Sequence, residues 1–117
     1  MRWWSIRGEV PEVRPEELAR RLADGEVQLL DVRTEAEWKR GRIEGAVSLP
    51  IHRLPAEADS LDFDKDKPVV AICLTAHRSI PAVRFLRRRG YADVVQLRGG
   101  MRAWKRAGLR RVKGEAP

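Results

Sequence analysis

The chain has 117 residues, 43% of them hydrophobic, enough for one folded domain whose core needs neither metal nor disulfide. Its single cysteine excludes an internal disulfide and fits a reducing, cytoplasmic setting, and residues 1–15 hold no apolar run of the length a signal peptide or membrane span requires. The net charge of +7 favours anionic partners, but the arginines are scattered among acids apart from residues 87–89 and 110–111, without interleaved aromatics, so small oxyanions are favoured over nucleic acid.

Residues 1–13, with Trp3, Trp4, Ile6, Val10 and Val13, read as an edge strand or extended arm laid over the core. Residues 15–23 place Pro15 and two acids in a first helical turn, with Leu18 and Leu22 one turn apart and Gly25 beyond the end. Residues 27–32 form an apolar strand that ends at the polar pair Asp31 and Arg33. Thr34 then caps a short helix running through Trp38, with Glu37 in the reciprocal position of a capping box. Gly41 and Gly45 bound a turn, residues 46–49 make a brief strand stopped by Pro50, and residues 52–63 connect onward with one irregular helical turn.

Residues 69–72 are apolar and mostly β-branched, the pattern of a buried parallel strand. Ser79 is expected to cap the next helix, which has Pro81 in its first turn and stops at Gly90. Residues 94–97 form the last strand. Gly99 and Gly100 lead into a helix over 101–107 closed by Gly108, and residues 111–117 read as a frayed tail on a core of about 5–110. Strands and helices alternate almost throughout, which argues for an α/β protein with a parallel sheet and helices on both faces.

In such sheets ligands bind beyond the carboxyl ends of the strands. Cys73 falls there, just before a helix whose first-turn amides carry partial positive charge, so a thiolate is stabilised and the residue reads as a nucleophile. The blander alternative, a small buried hydrophobe, gives no reason for the polar loop and helix that follow. Asp31 and Arg33 end a neighbouring strand and read as bracing.

Several separated stretches together resemble the rhodanese-like sulfurtransferase family: residues 30–33 with Glu37 and Trp38, the turn 41–50, the loop Cys73 to Ser79, Gly90 and Tyr91 with residues 94–97, and residues 99–104 with 107–109. The resemblance implies a five-stranded parallel sheet with the active loop after the fourth strand. It makes Cys73 the sulfur-carrying nucleophile and Leu74, Thr75, Ala76, His77, Arg78 and Ser79 the loop and substrate-binding residues, supported by Asp31 and Arg33. It implies no organic cofactor, a small anionic donor such as thiosulfate, and an external thiol, protein or cyanide as sulfur acceptor; no metal site is expected, because one cysteine with His52 and His77 gives no ligand cluster at a recognised spacing.

The sequence departs from that family's common pattern in places. Ala76 stands where glycine is frequent, Leu74 where a cation is frequent, and Arg42 and Glu44 where the turn usually has histidine and proline. Alanine resists positive φ, so these departures imply modest activity with thiosulfate. Two rival readings are a catalytically weak binding or regulatory module and a cysteine-dependent phosphatase. The second fits poorly, because four residues rather than five separate Cys73 from Arg78 and Ile72 replaces the usual histidine.

Overall fold

Val69–Ile72 is buried on both sides, and it is the strand around which the sheet is laid out. The computed structural model describes residues 5–6 and 9–115; Trp3 and Trp4 of the expected arm lie outside the described residues. In chain order the elements are β1 (Ser5–Ile6), β2 (Pro11–Val13), α1 (Pro15–Ala23), β3 (Gln28–Asp31), α2 (Glu35–Arg40), β4 (Val47–Ser48), α3 (Leu54–Glu57), β5 (Val69–Ile72), α4 (Ser79–Arg88), β6 (Val94–Leu97) and α5 (Gly100–Arg106). Two 3-10 turns, Ile51–Arg53 and Ala58–Ser60, flank α3 and make up the irregular connection.

The sheet order is β1-β2-β6-β5-β3-β4. The last five of these strands are parallel, as expected, and β1 adds a short antiparallel edge beside β2. Strand side chains alternate between two cores because successive residues point to opposite faces. Leu30, Val69, Ala71 and Cys73 pack with Leu54 of α3 and Ala82, Val83 and Leu86 of α4. Leu29, Val70 and Ile72 pack with Leu18 of α1 and Met101 and Trp104 of α5. The loop after β5, the fourth parallel strand, therefore emerges near the middle of the sheet at its carboxyl edge.

One boundary differs from expectation. The segment expected as a frayed tail is docked as far as Gly114: Arg42 and Val112 exchange backbone hydrogen bonds of 3.0 and 2.9 Å, and the Gly114 amide donates to the Lys39 carbonyl at 2.9 Å. Arg42 explains the docking. Its buried guanidinium lies 3.8 Å from the centroid of the Trp38 ring and donates to the Gly114 carbonyl at 2.7 Å. A cation stacked on an indole and bonded to two stretches of backbone joins the turn after α2 to the chain end.

Candidate active site

The loop from Cys73 to Arg78 is held from below by α5. The Met101 and Arg102 amides donate to the carbonyls of Cys73 and Leu74 at 2.8 and 3.0 Å. That approach requires glycine: a Cβ on Gly100 would lie 2.4 Å from the Cys73 carbonyl oxygen and 2.5 Å from the Leu74 backbone. Gly99, at φ 73°, makes the left-handed turn that starts the helix. The paired glycines thus set the height of the loop above the sheet.

Cys73 is only 1% exposed. The Ala76 amide donates to its Sγ at 2.8 Å, and the Ser79 hydroxyl lies 3.5 Å away. The backbone amides of Leu74, Thr75 and His77 have no hydrogen-bond partner among the described residues. Unpartnered amides beside the amino end of α4 lend the loop partial positive charge, which favours an anion in its vicinity. Ala76 reaches its position at φ 80°, the left-handed conformation expected of a glycine, so the loop keeps its shape at a conformational cost of about 1–2 kcal/mol.

Ser79 does not cap α4. The preceding residue, Arg78, already has helical dihedrals and is the capping position, so the Ser79 hydroxyl is released to point inward. It is fully buried and donates to Gln96 Oε1 at 2.6 Å, and Gln96 Nε2 in turn donates to Glu12 Oε2 at 3.3 Å. Gln96 and Glu12 were missed by the sequence reading. The available signal was a lone glutamine in the otherwise apolar strand 94–97, since a buried amide requires partners.

The remaining polar loop side chains hydrogen-bond to groups other than the sulfur. Thr75 Oγ1 and His77 Nδ1 pair with each other at 2.9 Å on the exposed side. Arg78 makes two hydrogen bonds to the Glu37 carboxylate, at 2.8 and 3.0 Å, fastening the loop to α2. Glu37 also completes the expected capping box with Thr34. The Arg78 hydrogen bonds hold the Glu37 pKa down at about 2, against the opposing effect of burial and with help from Thr34. Arg78 is raised in turn, chiefly by Glu37.

Asp31 and Arg33 are buried together, with Nη2 to Oδ2 at 2.8 Å, and Arg33 also donates to the Gly41 carbonyl at 2.7 Å. This pair ties the end of β3 to the start of the following turn. Leu74 faces a groove of about 340 Å³ that it shares with Arg33, Arg102, Lys105 and Arg111.

A parallel α/β sheet with one cysteine in a short loop at the carboxyl edge of a central strand defines a class of α/β proteins that hold a thiol at the amino end of a helix. The chain belongs to the rhodanese-like domain family, whose model matches residues 14–107. It is 44% identical over 101 residues to a protein named sulfurtransferase from Allochromatium vinosum, covering 86% of this chain and 92% of that one. It is 35% identical over 98 residues to the putative sulfurtransferase YtwF of Bacillus subtilis, covering 83% and 92%. A crystal structure of a rhodanese-related protein from Thermoplasma volcanium superposes with a TM-score of 0.78 at 29% identity, over 86% of this chain and 96% of that one.

Proposed function

We propose that this protein is a sulfurtransferase in which Cys73 carries sulfane sulfur as a persulfide. The observation that carries the reading is the Ala76 amide donating to Sγ from 2.8 Å, within a loop that leaves three further backbone amides without a partner among the described residues. In the first half-reaction the Cys73 thiolate attacks the outer sulfur of thiosulfate or of another persulfide. A new Sγ–S bond forms, the donor's S–S bond breaks, and sulfite or a thiolate leaves with the electron pair. The terminal sulfur left on Cys73 is anionic, and the loop amides stabilise it.

In the second half-reaction cyanide or an acceptor thiolate attacks that terminal sulfur, the Sγ–S bond breaks, and its electron pair returns to Cys73. The scheme predicts ping-pong kinetics. Because the chain has one cysteine, the acceptor is external. Arg78 acts in this reading as a positioning residue, since Glu37 occupies its guanidinium.

Intact-mass measurement after thiosulfate treatment tests the proposal. The expected result is a gain of one sulfur atom by the wild type and none by Cys73→Ser, with thiocyanate formed on adding cyanide at a modest rate. A wild type that gains no sulfur from thiosulfate or from a small-molecule persulfide overturns it. The near-complete burial of Cys73 would then favour a binding module that keeps the fold without turnover.

A further inference from the structure

The chain's excess charge is concentrated in one place. Between Arg98 and Lys113 there are seven cations and no acid, which equals the entire net charge of +7, so the rest of the chain is balanced. The structure gathers this segment beside the sulfur loop. Arg102, Lys105 and Arg106 lie exposed on α5, and Arg111 and Lys113 lie exposed on the strap that Arg42 anchors. The groove between α5 and the strap abuts Leu74, the residue after Cys73.

Cations elsewhere are mostly matched: Arg20 and Arg21 with Glu17, Lys39 with Glu35, Arg53 with Glu57, Arg84 with Glu9 and Arg89 with Asp59. Arg102, Lys105, Arg106, Arg111 and Lys113 form no ion pair among the described residues. Unpaired like charges crowded on one surface are maintained against their own repulsion, and their use is to attract an opposite field. A helix of seven residues extends about 10 Å, wider than an ion such as thiosulfate needs. Single-stranded nucleic acid would call for exposed stacking rings, yet the one aromatic residue of the segment, Trp104, is 3% exposed.

We propose that α5 and the strap form a docking face for an acidic protein that presents a thiol and exchanges sulfur with Cys73. The proposal rests on the persulfide reading and names its partner class. The acceptor thiolate attacks the terminal sulfur of the Cys73 persulfide, its own persulfide forms, and Cys73 leaves as thiolate. Docked acidic groups draw the thiol to the groove side of the loop and speed encounter.

Two labelled peptides test this, each with one cysteine, one rich in glutamate and the other with glutamine in its place. Binding is read by fluorescence anisotropy with the full chain, and sulfur transfer to each peptide is timed after loading with thiosulfate. The glutamate peptide is expected to bind and react about tenfold better at about 20 mM salt, with the advantage gone near 0.5 M.

Arg106→Glu/Arg110→Glu/Lys113→Glu, all outside the lining of the groove beside Leu74, should abolish that advantage while loading and transfer to cyanide persist. The equally charged control Lys65→Glu/Lys67→Glu/Arg88→Glu should keep it. Equal behaviour of the two peptides, or equal loss in the two variants, overturns the proposal. Tighter binding of transfer RNA than of the glutamate peptide at about 0.15 M salt overturns it in favour of nucleic acid. If Cys73 takes up no sulfur, the persulfide reading fails, and the anisotropy arm still decides whether the face docks acidic chains.

Discussion

Replacing Glu37 by glutamine isolates the charge that fastens the sulfur loop to α2. Glutamine serves the capping box as well as glutamate does, so Thr34 keeps its partner and only the ion pair with Arg78 is weakened. Glu37 falls from its ordinary 4.5 to about 2 on folding. A lowered folded-state pKa means stability that is present above pH 4.5 and lost as pH falls toward 2. The full shift corresponds to about 3 kcal/mol. With Glu37 18% and Arg78 33% exposed, solvent screening reduces the expected share to about 1–2 kcal/mol. Urea unfolding of both proteins at neutral pH and near pH 3 measures it. Glu37→Gln should be less stable at neutral pH by that amount, and the gap should shrink to about half or less near pH 3. A gap of the same size at both pH values would refute the reasoning, because it would not then arise from the carboxylate's charge.

Ala76→Gly relieves the left-handed strain but adds unfolded-chain freedom, so a gain of at most about 1 kcal/mol is expected. Ala76→Val should instead lose at least about 2 kcal/mol, and equal urea midpoints for the two would refute the strain argument. Gly100→Ala places a methyl against the Cys73 and Leu74 backbone. It should cost about 2 kcal/mol or more and reduce sulfur uptake by Cys73 in the mass assay. Arg42→Ala should destabilise by about 2–4 kcal/mol and speed tryptic cleavage at Arg110, Arg111 and Lys113; unchanged cleavage would mean that the strap is held by something else.

Much of the architecture was legible because local signals agree with the tertiary structure. Pro15 with two acids, the Thr34–Glu37 box, and the all-apolar run 69–72 each mark an element by its own chemistry, and all three recur in the structure. The illegible parts depend on partners distant in sequence. Ser79 looks like a cap until Gln96 competes for its hydroxyl from 17 positions away. Gln96 is itself explained only by Glu12, 84 positions off. The docking of the chain end likewise depends on Arg42, which the sequence showed only as a replacement for histidine. A departure from a family pattern marks where to look without saying what the new side chain will hold.

The buried run from Ser79 through Gln96 to Glu12 has a directional consequence. A glutamine turned the other way would set its carbonyl against a carboxylate, so Glu12 dictates which end faces Ser79. The one proton of the serine is then committed to Gln96, and toward Cys73 it offers only a lone pair. Sulfur bearing hydrogen can satisfy that lone pair, whereas charged sulfur is repelled by it and drawn to the amide of Ala76. Losing a proton therefore transfers the atom's allegiance from the serine hydroxyl to the backbone of its own loop.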